Sequence, residues 1–297
     1  MELRIFASLD EAVREICGSE RKVIGKNYVA GGDINTASAL LIDDGTRLFM
    51  KSNAASFLKN FKAEAQGLAA IRQAGGPMTP RVLGIGSEKG GSFLLLEYIS
   101  GGAPVRDYWE TFAAELAAMH KAAAEENIGF GFTSDNFIGE RDQINTPHKS
   151  WIEFMRDCRL RPQFNAASGY FDREDRKWAG HLLSHLDEYL VEPEKPSLIH
   201  GDLWGGNKIT GNDGRCWLID PAVYYAHPEA EIAMTELFGG FPHAFYRAYE
   251  ETGCLQDGYS DRRDLYNLYH LLNHLNTFGG SYLSSVRRIL KRYVGGI

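Results

Sequence analysis

The residues between His200 and Asp220 bring together the side chains needed for phosphoryl transfer to an alcohol. That chemistry requires a carboxylate at the acceptor hydroxyl and further oxygen ligands that hold Mg²⁺ on the nucleotide phosphates. In His200-Gly201-Asp202-Leu203-Trp204-Gly205-Gly206-Asn207, Asp202 stands five positions before Asn207. This is the separation of base and metal-binding amide in an H-R-D-x-x-x-x-N loop. Asp213-Gly214 is a turn signal between the runs Lys208–Thr210 and Arg215–Ile219. Those runs are expected to pair as a hairpin and carry Asp220 back beside Asn207. Asp202 is then the catalytic carboxylate, and Asn207 with Asp220 the metal-holding pair. His-Gly-Asp and Ile-Asp-Pro are each ordinary turns when alone; the reading rests on their order, with a hairpin between them.

Such a loop needs a phosphate-binding element upstream, and the first hundred residues have the pattern of one. After a short amphipathic helix over Leu9–Ile16, the chain turns to strands at Val23-Ile24, Tyr28-Val29, Ala39–Ile42 and Arg47–Lys51. Gly31-Gly32 lies between the strands, where bare backbone N–H groups can approach phosphate. A plain hairpin turn reads equally well there. Lys51 ends an apolar strand and needs a partner if buried. Glu64, in the middle of a helix expected over Phe57–Ala74, is the candidate, and a Lys–Glu pair of this kind orients the lysine on the α- and β-phosphates. The apolar run Phe93–Ile99 followed by Ser100-Gly101-Gly102-Ala103-Pro104 marks a hinge. Main-chain atoms of Glu97, Tyr98 and Ile99 are the expected adenine contacts. Beyond it the periodicity is mainly helical: Trp109, Phe112, Leu116 and Met119 mark one face, Ser150-Trp151-Ile152-Glu153 fits a capping box, and Asp172 opens a further helix. Phe130 to Gly139 reads as an ordered loop with a structural role.

The stretch His200–Asn207, with Leu218–Tyr225, Ala233–Phe241 and Leu265–Asn276, closely resembles the fructosamine kinase (ketosamine-3-kinase) family nearly end to end. Kinase-like spacing alone leads only to a phosphotransferase; Trp204 within the loop and the two later blocks carry the resemblance. It implies a bilobal protein-kinase-like α+β fold, with a β-rich small lobe over residues 1–99 and a mainly helical large lobe over 100–297. It also implies ATP and Mg²⁺ as cofactors and the sugar 3-hydroxyl of a ketosamine, small or protein-bound, as acceptor, with deglycation as the consequence. Trp204, Tyr224 and Tyr225 are candidates for a sugar-binding wall, Glu229 for a protonated amine, and His274 for an approach to the sugar; core packing is the competing reading for the aromatics. Many family members have cysteine where this chain has Asp33, so a redox switch in that loop is not expected here. Family members commonly have Gly and Arg around the histidine where this chain has Ala226-His227-Pro228, so acceptor preference does not transfer directly.

Composition bounds the reading. The chain has 297 residues, is 44% hydrophobic and 24% charged, and carries a net charge of −7. That is enough for two lobes and argues against a nucleic-acid surface. The four cysteines are far apart, with no C-x-x-C pair, which fits a reducing cytoplasm. No apolar run is long enough for a membrane span, and a monomer is the favoured state. Two alternatives remain at this stage: another small-molecule kinase of the same fold, of the aminoglycoside or choline type, and a nucleotide-binding scaffold without catalysis.

Overall fold

A computed structural model describes residues 3–30, 34–122 and 129–295. Gly31 and Gly32, the expected phosphate contacts, and Asp33 lie outside these residues. In order, the N-terminal part contains β1 (Ile5–Phe6), α1 (Leu9–Cys17), β2 (Val23–Tyr28), β3 (Thr36–Ile42), β4 (Arg47–Ala54), α2 (Leu58–Gln73), β5 (Val82–Glu88) and β6 (Gly91–Glu97). The strands form one sheet in the order β1-β5-β6-β4-β3-β2. Every neighbouring pair is antiparallel except β1 and β5, where Ile5 lies opposite Ile85 in parallel register. Neither β1 nor β5 stands out in the sequence, because β1 is two residues long and β5 is interrupted by Gly84 and Gly86.

Alternation along the strands explains why both sheet faces are covered. Leu95, Leu40, Ile42 and Met50 pack with Ala12 and Val13 of α1, whereas Leu94, Leu96 and Ile85 pack with Phe61, Ala65 and Leu68 of α2. The run Leu94-Leu95-Leu96 is thus apolar on both sides by necessity. Ser8 caps α1 by accepting the Glu11 N–H at 3.1 Å.

The C-terminal part adds α3 (Tyr108–Lys121), a hairpin of β7 (Asn136–Ile138) and β8 (Arg141–Gln143), α4 (Trp151–Phe154), a π-helical segment Met155–Leu160, α5 (Arg161–Ala166) and α6 (Arg173–Ser184). There follow β9 (Ser197–Ile199), β10 (Lys208–Thr210), β11 (Cys216–Leu218), β12 (Tyr224–Ala226), α7 (Pro228–Leu237), α8 (His243–Glu250), α9 (Tyr259–Phe278) and α10 (Leu283–Val294). Asp172 caps α6 in a full capping box with Asp175. Ser150 caps α4 through the Glu153 N–H, but the helix widens to π geometry after one turn. The wider turn accommodates Arg159 with no solvent exposure, stacked on Tyr224 at 3.8 Å and Phe154 at 4.5 Å. The supposed loop before Gly139 contains β7 and opens the β7–β8 hairpin. α9 is the longest element, and Leu265, Leu268, Leu272 and Leu275 seat it in the main core.

Candidate active site

Lys51 lies on β4 between Ala37 of β3 and Leu94 of β6, in the middle of the sheet, and is only 7% exposed. A buried ammonium is tolerated when it is paired. Its Nζ lies 2.6 Å from Glu64 Oε1, as the spacing of strand and helix led one to expect, and it also contacts Asp220 Oδ1. Gly67 lets α2 close on the segment after Asp220: a Cβ there would sit 3.0 Å from Pro221 Cγ.

β10 and β11 pair as anticipated, with Lys208 opposite Leu218 and Thr210 opposite Cys216, although the connection is the longer turn 211–215 rather than two residues. This brings Asp220 back to the loop of Asp202 and Asn207, where Ile219 N–H donates to Asn207 O at 3.1 Å. Asn207 Nδ2 donates to Asp202 O at 2.8 Å and to Asp202 Oδ2 at 3.0 Å. The amide oxygen is therefore turned away from the Asp202 carboxylate and stays available to a cation. Burial pushes the Asp202 carboxyl up to about 7; the Asn207 bond pulls it down and the Glu231 charge adds to the rise.

Two buried groups hold the loop. Glu231 of α7 accepts from His200 N–H at 2.6 Å and Gly201 N–H at 3.0 Å, and it lies 3.4 Å from His120 Nε2. His200 donates from Nε2 to Ile219 O at 2.8 Å and accepts the Asp202 N–H on Nδ1 at 3.3 Å. Burial lowers the His200 pKa, so the ring is neutral, and both bonds require the proton on Nε2. One imidazole thus ties the backbone of Asp202 to the residue before Asp220. Gly201 has φ +83°, and a Cβ there would lie 2.2 Å from Ala222 O, so only glycine fits.

At the hinge, the Glu97 side chain accepts from Arg81 Nε at 3.3 Å, and Tyr98 takes a 2.8 Å bond from Arg47, whose guanidinium stacks on the ring at 3.9 Å. These two side chains are engaged by Arg81, just before β5, and by Arg47 of β4. The Glu97 N–H donates to Arg81 O at 2.9 Å, which spends one main-chain donor of the expected adenine edge. The following linker docks on the catalytic hairpin through Gly102 N–H to Thr210 O at 3.1 Å.

A family model described as fructosamine kinase matches residues 5–295. The chain belongs to the fructosamine kinase family. The chloroplastic protein-ribulosamine 3-kinase of Oryza sativa subsp. indica is 39% identical to it, over 93% of this chain and 81% of that protein. Among solved structures, a "putative fructosamine-3-kinase" from Haemophilus somnus superposes with a TM-score of 0.87 at 28% identity, covering 97% of each chain. The aminoglycoside phosphotransferase APH(4)-Ia, in a ternary complex with AMP-PNP and hygromycin B, has a TM-score of 0.66 at 17% identity, covering 96% of each chain. It shares the fold: a β-rich small lobe and a helical large lobe.

In this fructosamine kinase fold the expected acceptor-side residues separate into two groups. Trp204 is 39% exposed beside the catalytic loop and faces Phe238 with ring centroids 6.4 Å apart. Phe238 in turn lies 4.7 Å from His274, which meets Phe278 at 5.3 Å and Tyr282 at 5.1 Å. His274 donates from Nδ1 to His270 O at 2.8 Å, leaving Nε2 as an acceptor, and burial lowers its pKa. Tyr224 and Glu229 are not at the cleft, which corrects the expectation for both. Tyr224 is 2% exposed beneath Arg159. Glu229 is fully buried and committed to Arg262 at 2.7 and 2.9 Å, to Tyr266 Oη at 3.1 Å and to the Gln256 N–H at 3.1 Å. Glu231, two positions after Glu229 and not singled out by the sequence analysis, is the anchor of the loop. Nothing in Glu-x-Glu distinguishes the two roles; the buried N–H groups that Glu231 meets belong to residues 31 and 30 positions away.

Proposed function

We propose that the protein transfers the γ-phosphoryl group of ATP to the 3-hydroxyl of a ketosamine, small or protein-bound, leading to deglycation. The observation that carries this is the convergence of Lys51 of β4 and Glu64 of α2 with Asp202, Asn207 and Asp220 of the loops around β10 and β11. Asp202 accepts or orients the hydroxyl proton. Its raised pKa makes it a better proton acceptor than an exposed aspartate while it stays ionisable near neutrality. Lys51, held by Glu64, places the phosphates, and main-chain atoms at Glu97, Tyr98 and Ile99 border the adenine.

Mg²⁺ fits the donors present: an amide oxygen on Asn207 and a half-exposed carboxylate on Asp220 are hard oxygen ligands. When bound, the ion screens the charge of the phosphates against the incoming hydroxyl. The chain's part is to hold both ligands beside Asp202 before the nucleotide arrives.

Trp204 and His274 border the acceptor. With Glu229 and Glu231 committed elsewhere, the protonated amine of a ketosamine is met by aromatic faces, a favourable setting for a cation. Glu229 and Tyr224 play no direct part. The lobes divide near residue 99, and we take the protein to act as a monomer in the cytoplasm. Among the described residues no helix is long and apolar enough to cross a membrane.

The direct test is ADP release from Mg-ATP with a synthetic fructosamine, run beside Asp202→Asn. Turnover that needs the fructosamine and is lost in the variant supports the proposal. Turnover only on aminoglycosides or choline replaces the acceptor and leaves the phosphoryl chemistry standing.

A further inference from the structure

Asp220 adopts φ +56°, a left-handed conformation that a residue with a Cβ rarely takes and that persists only where its surroundings fix it. Upstream, Ile219 is tied by His200 and Asn207. Downstream, the restraint comes from the β7–β8 hairpin. Asn136 Nδ2 donates to Val223 O at 2.8 Å, and Gln143 Nε2 donates to Ala222 O at 3.0 Å and to Asn136 Oδ1 at 2.7 Å. Asn145 Nδ2 reaches the same Asn136 oxygen at 2.9 Å, Arg159 holds Asn145 Oδ1 at 2.7 Å, and Tyr269 Oη orients Gln143 Oε1 at 2.8 Å. All five side chains are at most 6% exposed.

The tip of the same hairpin reaches the other lobe. Ile34 Cδ1 lies 3.6 Å from where a Cβ on Gly139 would sit. Lys59 of α2 stands over Phe137 at 4.9 Å and 3.7 Å from Asp142. Buried amides that spend their hydrogen bonds on the carbonyls two and three residues after Asp220 have a more specific task than filling a core, which apolar side chains do without polar partners.

We propose that the β7–β8 hairpin is a positioning clamp for Asp220, with Gln143 and Asn136 acting on the Ala222 and Val223 carbonyls to preset its carboxylate for the metal. Its tip sets the small lobe relative to that carboxylate through Ile34 and Lys59. The inference rests on the assignment of Asp220 as a metal ligand. Removing the Gln143 donors leaves Lys51 and the hinge intact, so the loss should fall on the metal-dependent part of nucleotide binding.

The experiment measures AMP-PNP binding calorimetrically, with Mg²⁺ and with EDTA, for wild type, Gln143→Met, Tyr269→Phe, Asp220→Asn and the core control Val286→Ala. Gln143→Met is expected to weaken binding with Mg²⁺ roughly tenfold, the factor for one buried hydrogen bond, and to change binding in EDTA by less than about twofold. Tyr269→Phe, a milder change should Gln143→Met fail to fold, shifts the same ratio in the same direction by less. Val286→Ala lowers Tm without moving the ratio. Equal losses with and without Mg²⁺, or no change in either, overturn the clamp while Asp220 keeps its assignment. If Asp220→Asn itself preserves the Mg²⁺ enhancement, the metal assignment fails and the clamp with it.

Discussion

The proposed phosphate side and the proposed acceptor side of the cleft are built on different principles. On the phosphate side, charged groups contact one another directly: Lys51 bridges Glu64 and Asp220, and Asn207 holds Asp202. On the acceptor side, Trp204, Phe238, His274, Phe278 and Tyr282 form a ridge of ring contacts drawn from the catalytic loop, the end of α7, α9 and the turn before α10. The first arrangement is intolerant, because a buried charge that loses its partner is expensive to keep. The second is adaptable, because stacked rings lose packing by degrees. A family that keeps one chemistry while varying its acceptor would be expected to divide its cleft in this way.

Substitutions should reveal that difference, most strongly on the phosphate side. Asp202→Asn is expected to lower kcat by about 10²–10⁴-fold, the usual range for removing a general base, with nucleotide affinity retained. Next comes Glu231→Gln, which faces an amide N–H of the loop with a donor or a weaker acceptor. Loss of hydrogen bonds to a buried charge predicts a fall in kcat of about 10–100-fold, with KM for ATP little changed in steady-state assays. Trp204→Ala should raise KM for the ketosamine about tenfold and leave KM for ATP unaltered, as expected for one aromatic wall. If Trp204→Ala lowers kcat as much as Asp202→Asn, the contrast between the two sides is wrong.

The smallest effect concerns pH. Asp202 in the fold has its carboxyl near 7, above its ordinary value of 3.8, so the folded state binds a proton more tightly than the unfolded chain. Its contribution to stability is most favourable below the ordinary value and is lost as pH rises through about 7. The Tm difference between Asp202→Asn and wild type, without nucleotide, should therefore grow in favour of the variant from pH 5 to 8. In wild type, kcat/KM should rise over the same range as the base form appears. A flat Tm difference would place Asp202 in a wetter setting than its burial implies.

How much of this the sequence revealed follows from the range of each interaction. Asp202, Asn207 and Asp220 are connected by one short hairpin, so local turn chemistry brings them together, and the strand–helix spacing of Lys51 and Glu64 is also read along the chain. Tyr224 and Glu229 were misassigned because an aromatic or acidic residue near a catalytic loop has the same sequence pattern whether it faces the cleft or Arg159 and Arg262. The β7–β8 hairpin reads as a loop because its buried polar residues meet partners 79 and 87 positions away, and strands of three residues are too short to show alternation. Glu231 was hidden for the same reason.

The pairing of β1 with β5 has a consequence for synthesis. Ile5 is made 80 residues before its partner Ile85. At about 5–20 residues per second on the ribosome, the leading strand waits several seconds before it can join the sheet. During that interval Ile5 and Phe6 are an unpaired apolar edge next to an already folding α1. A slow codon tract after Glu97 would give β5 and β6 time to capture that edge before the large lobe emerges; a tract placed before Val82 would only lengthen the wait.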